Sequence, residues 1–186
     1  LNLSQSVSGD IALHDHDQDN DRLPLGYDWS SRSSTSFKLY GVRKFAGGPL
    51  TAARHVVTPT VSFTYKPSFV DNDNFYNFGG VGLDSAARSR KLGFSLENGW
   101  DLKLRTPKGE ERELNDLVTL TSSTTYNLEA DDRPFSDINH TARLSPGEIT
   151  TPLAAFTLSD RLSLTQDAYN FDITYWKLST TLNLSG

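Results

Sequence analysis

A strict alternation of apolar and polar residues from Val57 to Phe69 is the feature that most constrains this fold. Every odd position of the segment carries an apolar side chain, and every even position carries threonine, serine or lysine. Successive side chains of a β-strand point to opposite faces of a sheet. The segment therefore predicts a long strand with one apolar face and one polar face.

The same period of two returns along the rest of the chain. From Lys91 to Arg105 the even positions are apolar except for Asn98, and weaker alternations follow from Val118 to Leu128 and from Trp176 to Leu184. We predict about eight strands, at roughly 1–14, 26–45, 55–69, 91–106, 114–129, 136–145, 152–166 and 170–185. The turn sequences between them are Gly47-Gly48-Pro49, Pro107-Lys108-Gly109 and Ser145-Pro146-Gly147, with an Asp-rich segment at 15–21. The predicted fold is all-β, an antiparallel up-and-down meander.

Strand length favours a membrane barrel over a soluble sandwich. Soluble sheets use strands of about 5–6 residues, whereas strands that cross a bilayer at a tilt need about 9–11. We therefore predict a segment of a transmembrane outer-membrane β-barrel, with lipid on the apolar face and a hydrated lumen on the polar face. The predicted lumen-facing residues are Thr58, Thr60, Ser62, Thr64, Lys66, Glu97, Asp101, Lys103 and Arg105. The predicted lipid-facing residues are Val61, Phe63, Tyr65, Leu96, Trp100, Leu102, Leu120 and Leu182.

Aromatic residues fall near strand ends on one side of the predicted meander, where an interfacial girdle would lie. They are Tyr27, Trp29, Tyr65, Phe69, Phe94, Tyr126, Phe135, Tyr169 and Phe171.

Composition excludes several other classes of protein. No run approaches the roughly 18 apolar residues of a spanning helix, and the mean hydropathy is -0.47. The formal net charge is -5 and the basic residues are scattered, so a nucleic-acid partner is not expected. The chain has no cysteine, which removes thiolate chemistry and cysteine-based zinc sites.

Few residues suggest chemistry. His14 and His16 lie among aspartates whose oxygens could bind a divalent cation, but the run lacks the glycine and distal glutamate of a calcium loop, and a solvated turn is the simpler interpretation. His55 has no nucleophile-elbow sequence to partner it, and we predict no enzyme, no metal and no cofactor. Pro59 and Pro67 each remove a ladder hydrogen bond, which predicts either weak pairing or a bulge.

One block of sequence resembles a known family. Arg54-His55, Thr58-Pro59 and Tyr65-Lys66-Pro67 are similar to a strand of the LptD family, the lipopolysaccharide-assembly outer-membrane proteins also called organic solvent tolerance proteins. The likeness is to the divergent branch outside the proteobacteria, and segments 33–41, 92–98 and 122–128 extend it in order.

The resemblance implies a very large barrel in the bacterial outer membrane. It implies lipopolysaccharide or a related glycolipid as the transported partner, outer-membrane lipid around the barrel, and a plug lipoprotein as a protein partner. Residues 1–186 are then expected to form part of such a barrel domain, and Glu97, Asp101, Lys103 and Arg105 would line its conduit. Two alternatives stay open, a small self-contained outer-membrane barrel that acts as an anchor or adhesin, and a soluble β-sandwich binding module.

Overall fold

The chain is seen in a computed structural model that describes residues 1–19, 21–76, 82–106, 109–150 and 155–185. Ten strands and one 3₁₀ helix, Val70–Asn74, lie in these ranges. The strands are β1 (Asn2–Leu13), β2 (Leu25–Ser36), β3 (Leu39–Lys44), β4 (Leu50–Lys66), β5 (Ser89–Arg105), β6 (Glu111–Asn127), β7 (Ile138–Leu144), β8 (Glu148–Thr150), β9 (Ala155–Gln166) and β10 (Ile173–Ser185). No helix in the described ranges is long and apolar enough to cross a membrane.

All the strands join one antiparallel sheet in the order β1-β2-β4-β5-β6-β7-β9-β10. Strand β3 pairs with the part of β4 that β2 does not reach. Likewise, β8 pairs with the part of β9 that β7 does not reach. Within the described residues β1 and β10 do not pair with each other, so the sheet is open. The predicted all-β meander is confirmed, and its lack of closure is consistent with a segment of a barrel.

The predicted strand 26–45 is divided into β2 and β3, and Pro59 explains the division. Ser36 pairs with Thr60 and Leu39 pairs with Val57, so the unpaired residues between them lie opposite Pro59. Pro59 accepts a hydrogen bond from the Phe37 N–H at 3.4 Å but has no N–H to return. The ladder is therefore interrupted in the neighbouring strand, while β4 itself pairs with β5 through Pro59. The prediction for Pro67 was wrong, because β4 ends at Lys66.

The connections at the two ends of the sheet differ in length. One end carries 14–24, 67–88, 128–137 and 167–172, and the other end carries the shorter 45–49 and 106–110. Gly47 and Gly48 in one short turn and Gly109 in the other adopt φ of 90°, 86° and 87°, the left-handed region that side chains disfavour. Pro107 and Lys108 of the second predicted turn lie outside the described residues.

Register divides the sheet into two faces, because directly paired residues share a face. Odd residues of β4 pair with even residues of β5, which pair with even residues of β6, β7, β9 and β10 in turn. On the other side, odd residues of β4 pair with odd residues of β2 and β1. We call the surface that contains Phe63 and Leu96 the apolar face, and the surface that contains Ser62 and Glu97 the polar face.

Burial is inverted relative to a soluble protein. Among the described residues the buried hydrophobic side chains are Ala12 and Phe69, while Ser62 and Asp101 of the polar face are 8% and 9% exposed. Phe63 next to Ser62 is 38% exposed, and Leu96 is 43% exposed. The apolar side chains therefore form no core of their own.

Candidate functional site: the polar face of the sheet

The register brings the predicted lumen-facing residues of β4 and β5 onto the polar face. They are Thr58, Thr60, Ser62, Thr64, Lys66, Glu97, Asp101 and Lys103, with Arg105 at the end of β5. It places Val61, Phe63, Tyr65, Leu96, Trp100, Leu102, Leu120 and Leu182 on the apolar face. It remains a prediction that the apolar face meets lipid and that the polar face lines a lumen.

Short hydroxyl side chains line the centre of the polar face. Thr60, Ser62 and Thr64 of β4 lie beside Ser95 of β5, in a depression of about 340 Å³ that also reaches Ser123 and Thr125 of β6. Arg32 and Lys91 stand at its rim. A Cβ at Gly93 would lie 2.6 Å from the Ser62 Oγ, so the glycine leaves room for that hydroxyl. The surface offers hydrogen-bond donors and acceptors without a fixed charge at its floor.

The Asp101 carboxylate connects three strands at the edge of this surface. Its Oδ2 accepts a hydrogen bond from the Arg54 Nε at 2.5 Å, and its Oδ1 accepts one from the Asp116 backbone N–H at 2.7 Å. Asp116 has a φ of 50° and lies in the irregular part of β6 where the register with β5 shifts. Asp101 therefore stabilises a bulge as well as an ion pair.

Several cations that we predicted on the conduit already form ion pairs with carboxylates of the chain. Lys103 contacts Glu111 at 2.6 Å and Glu113 at 3.5 Å, and Lys66 contacts Asp84 of the β4–β5 connection. These lysines are less free to meet an anionic ligand than an isolated cation, because each already has a carboxylate.

Sequence reasoning missed two polar side chains that are free of such partners. Arg143 of β7 pairs directly with Arg161 of β9 on the polar face. The two residues are equally distant in sequence from residue 152, which is the first residue of the predicted strand 152–166 and lies beyond the predicted turn Ser145-Pro146-Gly147. A register drawn about that predicted turn would not have paired them.

Two pairs of polar residues on the apolar face, His55 with Asn98 and Ser122 with His140, bind each other. The His55 Nε2 lies 3.2 Å from the Asn98 Oδ1, and its ring stacks on Trp100 with centroids 4.7 Å apart. The Ser122 Oγ lies 2.8 Å from the His140 Nδ1. His55 and Ser62 point to opposite faces, so they cannot form a hydrolytic pair.

The long β4–β5 connection folds back over the polar face. A Cβ at Gly26 would meet the Leu83 Cδ1 at 2.1 Å and the Phe75 Cε2 at 2.8 Å. Phe75 also stacks on His14, with centroids 4.9 Å apart. The Asp84 backbone N–H donates to the Asp28 Oδ2 at 2.8 Å. This end of the polar face is thus covered by the chain itself.

The aspartates near His14 and His16 organise a turn. The Asp17 Oδ1 accepts hydrogen bonds from the backbone N–H groups of Asp19 and Asp21, at 3.1 and 2.8 Å. His14 is 8% exposed and its Nε2 has no hydrogen-bond partner. In the parts of the chain that are described, no three His, Asp or Glu side chains are grouped to hold a metal ion.

Aromatic side chains meet at the end of the sheet with the long connections. Tyr27 contacts Phe69 with centroids 6.0 Å apart, and Trp29 contacts Tyr65 at 5.6 Å. Tyr126 contacts Phe135 at 4.9 Å, and the Phe135 N–H donates to the Tyr169 hydroxyl at 2.6 Å. These contacts involve seven of the residues predicted for the aromatic girdle, Tyr27, Trp29, Tyr65, Phe69, Tyr126, Phe135 and Tyr169.

An ion-pair cluster fastens two of the long connections at this same end. The Glu129 carboxylate accepts hydrogen bonds from the Arg88 guanidinium, both at 3.0 Å, and from the Arg90 Nε at 2.5 Å. Hydrogen bonds from Arg88 and then Arg90 lower the pKa of Glu129 below its ordinary value. The connection 128–137 is thereby fastened beside the start of β5.

An open antiparallel sheet with one apolar and one hydroxyl-rich face is consistent with a segment of a β-barrel. A family model described as LptD protein matches residues 5–159. The chain belongs to the LptD family, and that membership supports involvement in lipopolysaccharide transport and assembly. Comparisons with curated proteins and with solved structures gave no match.

Proposed function

We propose that the chain is an outer-membrane β-barrel segment of a lipopolysaccharide translocon. Its apolar face meets membrane lipid, and its polar face is the wall along which the hydrated headgroup of the cargo moves. The observation that carries this proposal is the inverted burial, with exposed Phe63 and Leu96 on one surface and buried Ser62 and Asp101 on the other. A contiguous exposed apolar surface needs a covering partner, and lipid is the partner that covers long strands of this kind.

The height of the apolar band supports the same assignment. On the apolar face of β4, Val57, Pro59, Val61 and Phe63 separate His55 from Tyr65 without a polar side chain. A strand tilted by about 45° rises roughly 24 Å over that distance. The apolar band of outer-membrane barrels is about 25 Å tall and has aromatic residues at both borders. Trp100, stacked on His55, and Tyr65 occupy the two borders.

The polar face suits a sugar headgroup because its hydroxyl groups can replace the hydrogen bonds that the headgroup makes with water. A headgroup cannot cross hydrocarbon without losing its hydrogen bonds to water. The hydroxyls of Thr60, Ser62 and Thr64 exchange hydrogen bonds without a fixed charge, so they hold the cargo weakly. No step of this route needs a catalytic group.

Loop lengths give the orientation that we propose. Outer-membrane barrels have short periplasmic turns and longer extracellular loops. The end that carries 14–24, 67–88, 128–137 and 167–172 is then extracellular, and 45–49 and 106–110 are periplasmic.

The open edges of the sheet imply that further structure completes the barrel. Unpaired backbone groups along β1 and β10 are untenable in hydrocarbon. We propose that additional strands cover both edges, and that a plug lipoprotein occupies the lumen. Neither alternative of a closed small barrel or a two-layered sandwich is favoured, because the described strands form a single open sheet.

Photo-crosslinking in the complete protein tests the conduit. A photoreactive amino acid at Thr60 or Thr64 should crosslink to lipopolysaccharide during transport, because both face the proposed route. The same group at Phe63 should crosslink to phospholipid instead. Crosslinks to lipopolysaccharide from Phe63 alone would contradict the proposal.

A further inference from the structure

Two arginines stand directly opposite each other on the polar face. Arg143 and Arg161 are paired in the register of β7 and β9, which places their Cβ atoms about 4.5–5.5 Å apart. Both are exposed, and neither forms a hydrogen bond or ion pair within the described part of the chain. Like charges directly opposite each other destabilise an antiparallel pair. An anion bound between the two guanidinium groups would offset this repulsion.

The neighbours of the pair leave space for such an anion. Arg143 has Thr119 on its other side, and Arg161 has Ser179. The two arginines line a depression of about 350 Å³ with three threonines and Glu97. Lys177 lies diagonally across from Arg161 and adds a third cation. Small hydroxyl residues thus surround a concentration of positive charge.

Among the described side chains, no carboxylate forms an ion pair with either arginine. Glu97 lies two strands from Arg143, and no ion pair of Glu97 is found among the described residues. The described side chains on the polar faces of β7, β9 and β10 include no Asp or Glu. On β4 and β5, by contrast, Arg54, Lys66 and Lys103 each have an acidic partner. Arg32 and Lys91 of the polar face also have no acidic partner among the described residues, but Thr64 separates them, whereas Arg143 and Arg161 are directly opposed.

We propose that Arg143 and Arg161 form a clamp for a phosphate group carried by the headgroup of the cargo, an inference that rests on the function proposed above. A guanidinium presents a planar fork of N–H donors that matches two phosphate oxygens. A phosphate between the two forks removes their mutual repulsion, and hydroxyls such as Thr141 contribute further hydrogen bonds. The exposure of both side chains keeps the hold reversible, as transport requires.

Binding measurements on the complete protein in detergent test the clamp. The probes are lipopolysaccharide with its phosphates and the same preparation after dephosphorylation. The double variant Arg143→Gln, Arg161→Gln should bind the phosphorylated probe about tenfold or more weakly, because hydrogen bonds to a charged group are lost. Its affinity for the dephosphorylated probe should not change. The matched control is Arg22→Gln, Arg43→Gln, which removes the same charge at exposed residues that lie outside the polar face.

Inorganic phosphate distinguishes a clamp for cargo from a site for the free ion. At constant ionic strength, phosphate should raise the unfolding midpoint of the wild type and not that of the arginine double variant. If phosphate does so but the two lipopolysaccharide probes bind alike, the pair takes only the free ion and the proposal is overturned. Equal losses in the arginine variant and the control would also overturn it, since general electrostatics would suffice. If the wild type binds neither probe, the proposed transport function itself has failed.

Discussion

At the scale of single residues, the account predicts that the cost of a charge depends on which face of the sheet carries it. Leu96 lies near the middle of the apolar band, and Ser95 is its neighbour on the polar face. Leu96→Arg should lower the free energy of unfolding in lipid vesicles by about 2–4 kcal/mol, the cost of an arginine at the bilayer midplane. Ser95→Arg should change it by about 0.5 kcal/mol or less. Denaturant titrations of both variants measure the difference, and equal costs would contradict the assignment of the faces.

A second residue-scale prediction concerns pH at the ends of the strands. Because its partners lower the pKa of Glu129, its contribution to stability is present above the pKa of an unfolded glutamate. That contribution is lost as the pH falls through the lowered pKa of the folded state. Glu129→Gln should therefore speed amide exchange in 128–137 at about pH 7, and it should do so to a smaller extent at about pH 3.

The control for this pH dependence is the neighbouring acid Asp131→Asn, because Asp131 is exposed. It should leave exchange unchanged at both pH values. A rate difference for Glu129→Gln that is undiminished at the acidic pH would show that its ion pairs are not the cause.

Single residues also show which features of the structure the sequence could predict and which it could not. The faces of Phe63 and Ser62 follow from the period of two alone. The partners of Lys66 and Lys103 do not, because Asp84 lies in a connection and Glu111 and Glu113 lie on another strand whose register the sequence does not state. Arg143 and Arg161 were missed for the same reason.

At the scale of elements, strands were predictable where alternation is unbroken. The β5 strand begins and ends within two residues of its prediction. The β4 strand begins five residues before its prediction, because Leu50–Arg54 contains no alternation and a register irregularity lies between Leu50 and Ala52. The division between β2 and β3 arises from Pro59 of another strand, which a local pattern cannot reveal.

The β4–β5 connection yields a prediction at this scale. Leu83 lies over Gly26, so the carboxylate of an aspartate at position 83 would pack against the chain without a hydrogen-bond partner. Leu83→Asp should release 67–88 from the polar face and make it sensitive to protease, while the far-ultraviolet circular dichroism of the sheet is unchanged. Ala87→Asp, at an exposed position of the same connection, should remain as resistant as the wild type. Equal sensitivity of the two variants would show that Leu83 does not anchor the connection.

At the scale of the whole molecule, the exposure of the sheet can be explained only together with the lipid and the further strands that we propose around it. Its buried side chains are few, its apolar surface is uncovered, and both of its outer strands have unpaired edges. Soluble domains bury their apolar side chains between layers, and this sheet has no second layer among its described residues. Lipid would cover the apolar face, and further strands would pair with the two open edges.

The alternation of environment along β5 tests this account most directly. Once any cysteine outside residues 1–186 is replaced, single cysteines at residues 92 and 94–97 can each carry a nitroxide label in the complete protein within membranes, because residues 1–186 contain no native cysteine. The even positions should collide preferentially with oxygen, which concentrates in lipid, and the odd positions with a water-soluble nickel chelate. The predicted result is a period of two in the accessibility ratio, with Leu92, Phe94 and Leu96 at the lipid extreme. A ratio without that period, or one with the two sets exchanged, would contradict the assignment of the apolar face to lipid and of the polar face to a lumen.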